Sequence, residues 1–166
     1  MENIDRIFEI YEKYGGEGYI GEKVTQLEHA TQAALLAEQY FKTVATCIDP
    51  NIVILGAFLH DIGHLLVYEE LPDLELMGNV GVKHHEEIGA YFLKKMGFPY
   101  ELCELVRNHI NTKRFLITVN NEYYDKLVVT VSPRTNKKLL KNLNYRSSKL
   151  SYLGALCGII EFSKRP

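Results

Sequence analysis

The chain has only three cysteines in 166 residues, at Cys47, Cys103 and Cys157, and no CxxC pair. That spacing excludes a disulfide framework and a zinc knuckle. It fits a reducing, intracellular compartment, which we take as cytoplasmic, with each cysteine a small buried hydrophobe. A dominant charge is also lacking. Lys and Arg number 19 against 21 Asp and Glu, a formal net charge of -2. The whole molecule therefore has no strong pull toward nucleic acid or a membrane surface. No apolar run approaches the roughly 20 residues that span a bilayer, and Met1-Glu2-Asn3-Ile4-Asp5 is acidic and amphipathic, unlike a secretory leader. There is no internal repeat and no clear strand-period alternation. What remains is a soluble chain, 46% hydrophobic, long enough for one domain with a sizeable core.

The apolar spacing predicts an all-α fold, a compact multi-helix bundle. Ile4, Ile7, Phe8, Tyr11 and Tyr14 recur at helical spacing, and Gly15-Gly16-Glu17-Gly18 ends that helix. A second helix is expected from about Val24 to Thr46, with Ala30, Ala33 and Ala34 allowing close approach. Asp49-Pro50 reads as a cap followed by proline at the first helical position. The run Ile52 to Leu59 is apolar nearly all round and reads as a buried helix ending at His60-Asp61, with Gly63 as the stop. The next helix is expected from about Val82 to Met96, stopped by Gly97 and Pro99. Another starts near Pro99, and a further helical segment runs from Asn111 to Leu127 with a break at Asn120-Asn121.

After Asp125 the composition changes. From Lys126 to Ile160 there is no acidic residue, while Lys126, Arg134, Lys137, Lys138, Lys141, Arg146 and Lys149 are basic. This run reads as a solvated face, as an anion-binding lid, or as a tail of different origin from the rest. We therefore divide the chain into a metal-binding helical bundle, residues 1–127, and an atypical basic tail, residues 128–166, packing on the same domain.

All six histidines precede that boundary. His29 sits inside a helix among alanines. His60 and Asp61 close a buried helix. His85 shares a face with Ile88, Gly89 and Phe92, and His109 lies on the apolar face of the following helix. One histidine on an apolar face is more often a packed core residue than a ligand. Four helices that each aim one imidazole inward are a different matter, because bundle interiors are where metal sites are built. Imidazole and carboxylate without thiolate suit iron, manganese or zinc, and four histidines with one bridging Asp61 suit two ions better than one. His84 competes with His85 and reads as a surface or outer residue. His64, after Gly63, reads as lying beyond the ligands, placed to hydrogen-bond a substrate oxygen.

These pieces resemble a known superfamily. His29, His60-Asp61 and the helical frame are similar to the HD-domain metalloenzymes. Tyr19-Ile20-Gly21-Glu22, Val24 to His29, His60-Asp61-Ile62-Gly63-His64, His84-His85-Glu86 with Ile88-Gly89-Ala90, and His109 with Lys113-Arg114 resemble the phosphonate-degrading HD oxygenases, over roughly residues 15 to 127. The resemblance implies two iron ions, mixed-valent iron(II)/iron(III). His29, His60 and Asp61 would hold the iron that binds substrate, and Asp61 would bridge to a second iron on His85 and His109. Tyr19 would fill the open position on the first iron until substrate displaces it. Glu22 would take the substrate's amino group, and His64 and Lys113 its phosphonate, placing His60, Asp61 and His64 at the reacting centre. With O2, a small organophosphonate of the 1-hydroxy-2-aminoethylphosphonate type, or its trimethylated form, would lose its carbon–phosphorus bond, giving phosphate and an amino acid or betaine.

The tail departs from that pattern. The family carries a late Asp as the last ligand of the first iron. Here Ile160 stands at its place and Glu161, the nearest carboxylate, lies one position on, about 100° around a helix. Glu161 is thus a candidate replacement. A phosphohydrolase of the HD type and a catalytically impaired metal-binding homologue or isoform are the alternative readings.

Overall fold

A computed structural model describes residues 2–19, 23–43, 48–68 and 81–119. Glu22, Cys47, Cys157, Glu161, the boundary at residue 127 and the basic tail lie outside the described residues. The architecture is all-α: five α-helices, and no strand among the described residues.

Helix α1 (Glu2–Tyr14) buries Ile7, Ile10 and Tyr11, the i, i+3, i+4 stripe of a surface helix. Phe8, expected on that stripe, is 63% exposed; it sits about 100° around from Ile7. Gly15 ends α1, its N–H donating to the Tyr11 carbonyl at 2.8 Å. The chain then folds back. Tyr19 N–H donates to Val24 O at 2.8 Å and Gln26 N–H to Glu17 O at 2.8 Å, tying the loop to the start of α2 (Gln26–Thr43). That start is a reciprocal cap. Thr25 Oγ1 accepts from Glu28 N–H at 3.2 Å, and Glu28 Oε2 accepts from Thr25 N–H at 2.7 Å, the pattern of Thr-x-x-Glu.

Helix α3 (Pro50–Leu59) begins as its sequence predicts: Asp49 accepts from Asn51 N–H and proline occupies the first turn. Two short 3₁₀ turns, Ile62–His64 and Leu66–Tyr68, continue it. Together Pro50–Tyr68 make a 19-residue stretch long and apolar enough to cross a membrane by length and composition, which corrects the expectation that no run comes near that length. Only its first ten residues are α-helix, about 15 Å at 1.5 Å per residue. Val53, Ala57, Leu59, Ile62, Leu65 and Leu66 within it are buried against the other helices, so it is a core segment.

Helix α4 (His85–Lys95) starts three residues later than the apolar pattern predicts, because His84 adopts a left-handed φ of 59°. It ends at Gly97, φ 79°, where Phe98 N–H reaches back to Leu93 O at 3.1 Å, a left-handed helix stop. Helix α5 (Tyr100–Val119) runs unbroken through Asn111, where the sequence reading placed a new segment. Its polar residues do not interrupt it. Asn108 Nδ2 donates to Glu104 O at 2.8 Å and Thr112 Oγ1 to Asn108 O at 3.0 Å, so their side chains bond to carbonyls one turn back without breaking the ladder. Cys103 on this helix is buried.

The main core gathers Ile7, Ile10 and Tyr11 of α1 with Leu59, Ile62, Leu93, Leu102 and Val106. A smaller one joins Ala37, Val53, Ala57 and Leu105 between α2, α3 and α5. Two glycines bring α4 against the turn that follows α3. A Cβ on Gly63 would run into the His85 carbonyl, and one on Gly89 would lie 3.1 Å from Gly63 N and 3.2 Å from Ile62 Cγ2. Gly63→Ala should therefore lower the urea midpoint by the equivalent of about 1–3 kcal/mol, the usual cost of overpacking. Gly16→Ala, where a Cβ meets nothing within 4 Å, should be neutral or stabilising by up to about 1 kcal/mol.

Candidate metal centre

Three imidazoles are anchored in the same way. The Nδ1 atoms of His60, His85 and His109 lie 2.7, 3.2 and 2.7 Å from the carbonyls of Ala57, Val82 and Val106, each three residues earlier in the chain. A carbonyl oxygen only accepts, so each Nδ1 carries the proton and donates. In a neutral ring that leaves Nε2 as a bare lone pair.

Those lone pairs converge on Asp61. His60 Nε2 is 3.0 Å from Asp61 Oδ2. His85 Nε2 and His109 Nε2 are 3.3 and 3.2 Å from Oδ1 and 3.1 Å from each other. His29 Nε2 joins the first set, 3.3 Å from His60 Nε2 and 3.7 Å from Oδ2. Asp61 Oδ1 is buried with no hydrogen-bond partner, although two ring nitrogens face it, because both present lone pairs and not protons. Burial alone would raise the Asp61 pKa. Nearby positive charge, that of His60 when its ring is protonated and that of Lys113, outweighs burial and holds the carboxyl well below its usual range. Burial pushes His109 down to about 3 against the pull of Asp61, so at neutral pH this ring takes no second proton.

Lone pairs of one carboxylate and several imidazoles, packed this closely, repel unless a cation lies among them. Donors held about 2.1 Å from one ion at right angles are roughly 3.0 Å apart, which matches the spacings here. The donor atoms form two groups, His29–His60–Asp61 and Asp61–His85–His109, with the carboxylate common to both. This His/Asp cluster can hold metal, and its chemistry is that of imidazole and carboxylate sites.

The other residues singled out from the sequence fall around it. Tyr19 OH donates to Asp61 Oδ2 at 3.0 Å, and its ring lies flat on His29, centroids 3.6 Å apart and planes within 9°. The loop bonds that tie Tyr19 to Val24 and the Thr25–Glu28 cap place this pair. His64 stacks on His85 at 3.8 Å. Its Nδ1 accepts from Val82 N–H at 3.2 Å, so its proton sits on Nε2. Burial lowers its pKa to about 4, leaving a neutral donor. Lys113, one turn beyond His109 on α5, is half-buried and near enough to act on Asp61 and His64 electrostatically. His84 is exposed. The sequence reading missed the Thr25–Glu28 cap, although Thr-x-x-Glu was visible, and the three carbonyl anchors, which no motif signals.

Two outcomes follow. Metal-stripped protein titrated with zinc or manganese should gain about 2.7 kcal/mol of stability for each ion bound at a hundredfold excess over its Kd. Asp61→Asn should abolish that gain, and His109→Ala should remove only the part due to one ion, read by thermal shift and metal stoichiometry. Acid should destabilise the metal-free protein. His64 and His109 have folded pKa values of about 4 and 3, below the value of about 6.5 in the unfolded chain. The unfolded state therefore binds more protons, and stability falls as pH drops below about 6.5, by roughly 1.4 kcal/mol per pH unit for each ring. Urea unfolding at pH 7.5 and pH 5 measures it.

Comparison with known proteins places this site in context. The HD domain family profile matches residues 26–132, a span that contains all five converging residues. An uncharacterised protein of Acanthamoeba polyphaga mimivirus is 38% identical over 149 residues, 90% of this chain and 62% of its own length. That coverage exceeds what residues 1–127 could supply, so the likeness reaches into the basic tail. The 1-hydroxy-2-(trimethylamino)ethylphosphonate dioxygenase (glycine-betaine-forming) of Leisingera caerulea is 36% identical over 71% of this chain and 55% of its own. A hydroxymethylphosphonate dioxygenase of Gimesia maris is 34% identical over 76% of this chain and 57% of its own. The chain thus spans about three fifths of the length of the curated relatives it matches. By its profile match, its helical frame and its His–Asp pair at the end of α3, the chain belongs to the HD domain family.

Proposed function

We propose that this chain is a diiron oxygenase that uses O2 to break the carbon–phosphorus bond of a 1-hydroxy-2-aminoethylphosphonate-type substrate. The observation that carries the reading is the division of Asp61, with Oδ2 beside His29, His60 and Tyr19 and Oδ1 beside His85 and His109. One carboxylate shared between two imidazole pairs fits two ions with a common bridge. His29, His60 and Asp61 would hold the first and Asp61, His85 and His109 the second. Iron suits the donors, with manganese or zinc as alternatives. When bound, a mixed-valent iron(II)/iron(III) pair supplies the redox chemistry that lets O2 oxidise the hydroxyl-bearing carbon. The names of two relatives, both phosphonate dioxygenases, support the substrate class.

The chain's own residues bind and orient. The Tyr19 phenol, on the Oδ2 side, is the group a substrate oxygen displaces, and its ring shields His29 from water. The neutral Nε2–H of His64 donates to a phosphonate oxygen, and Lys113 offsets the dianion's charge. Glu22, outside the described residues, takes the amine. The products are phosphate and a carboxylate, an amino acid or a betaine. Both atoms of O2 are accounted for, one in each product, so no outside reductant is consumed. The residues at the reacting centre would be His60 and Asp61 on the metal and His64 beyond it, with small-molecule phosphonate and O2 as the partners.

Protein loaded with iron without air, then given O2 and either 1-hydroxy-2-aminoethylphosphonate or its trimethylated form, should consume oxygen and release phosphate one for one. Lys113→Ala should raise KM roughly tenfold or more, since a hydrogen bond to a charged group is worth about 1.5–3 kcal/mol. No phosphate from either compound sinks the proposal. Hydrolysis of phosphate esters without oxygen uptake would favour a phosphohydrolase, and metal uptake with neither activity an impaired homologue.

A further inference from the structure

The three anchored imidazoles are not held equally. His60 and His109 make their Nδ1–H bonds at 2.7 Å, whereas His85 makes its bond to Val82 at 3.2 Å. On that same Nδ1 lies Glu86 Oε2, 3.6 Å away, its side chain only 17% exposed. Among the described residues, the carboxylate contacts of His60 and His109 run through Nε2 to Asp61. Glu87, the other acid in the first turn of α4, is exposed. A first-turn acid that serves only the helix dipole has no reason to lie down against an imidazole.

We infer that Glu86 is a positioning residue for the ion held by Asp61, His85 and His109. Its carboxylate lies beside the Nδ1–H that His85 gives to the Val82 carbonyl, too far to accept it but close enough for its negative charge to favour positive charge on the ring, which makes Nε2 a stronger donor. A carboxylate behind a ligating histidine fixes the ring and raises its basicity. Because only one of the two donor groups contains His85, Glu86 sets the affinity of one ion and leaves the other untouched. The inference rests on the reading of the cluster as a two-metal site and assigns an asymmetry within it.

Zinc uptake by the metal-stripped full chain, in competition with a chromophoric chelator, tests it. His109→Ala first identifies which binding class belongs to the Asp61–His85–His109 group. Glu86→Gln should weaken that class by about two- to fivefold, the scale of an ion pair without a hydrogen bond, and leave the other at its wild-type value. Glu87→Gln removes the same charge from the same helical turn and should change neither. The inference is overturned if Glu86→Gln takes up two ions as the wild type does, or if Glu87→Gln produces the same loss, which would make the effect one of helix charge. A wild-type chain that takes up no zinc overturns the two-metal reading and this inference with it.

Discussion

The bond from each Nδ1–H to the carbonyl three residues earlier is the constraint on which the site depends. It makes three demands at once. It fixes the ring plane of His60, His85 and His109, chooses the tautomer, and turns the remaining lone pair away from the local backbone. An imidazole without such an anchor could rotate and present an N–H to Asp61, and the cluster would become an ordinary hydrogen-bonded core. With the anchors in place it cannot satisfy itself, and a buried carboxylate oxygen is left facing two bare nitrogens. Polar groups of this kind cost free energy when unpaired, so the fold stores an affinity for cations in place of internal bonds.

That arrangement requires backbone geometry at two places far apart in sequence. Asp61 must leave α3 where its oxygens can face two directions, and α4 must come down on the turn after it. The first is met because α3 stops at Leu59 and the next residues tighten into a 3₁₀ turn. The second is met because Gly63 and Gly89 carry no side chain at the crossing. The left-handed residue His84 completes the device: it ends the incoming loop abruptly, so that His85 becomes the first residue of α4 and keeps Val82 within reach of its ring. Packing of Ile62, Leu93 and Val106 in the same core then supplies the apolar burial that holds the polar cluster dry.

Much of this was legible from residue order. Helical faces are set by a 3.6-residue period, so His29, His85 and His109 could be placed inward from their neighbours, and the Asp49-Pro50 start announced α3. What was not legible depends on backbone conformations that side-chain pattern does not encode. His84 could not be foreseen as left-handed, since few non-glycine residues are, and the pattern accordingly starts α4 too early. The sequence places a new helical segment at Asn111, yet α5 runs through it, with Asn108 and Thr112 bonded to carbonyls one turn back. Ile4 and Phe8 fit the helical spacing of the first apolar stripe, yet both are exposed, because the face that packs is centred on Ile7, Ile10 and Tyr11. Glu86 was quoted only as a neighbour of His85; adjacent residues on a helix do not face one another, and only the fold reveals that its carboxylate bends back.

The converging residues lie in one part of the chain. All five lie between residues 29 and 109, inside the HD match at 26–132, and their anchors come from Ala57, Val82 and Val106. The second donor group is buried at every member, while His29 in the first retains 18% side-chain exposure beneath Tyr19. Under the proposed function, the family's late Asp belongs to the ion on His29 and His60, so a change at that position would bear on that ion and not on the one held by Asp61, His85 and His109. Holding an ion and turning over a substrate become separable properties in this chain. The first is secured by backbone carbonyls within the bundle. The second, under the proposed function, depends on Tyr19 over His29 and on His64 and Lys113 near the other donor group, and a change among these three would alter turnover without disturbing the fold.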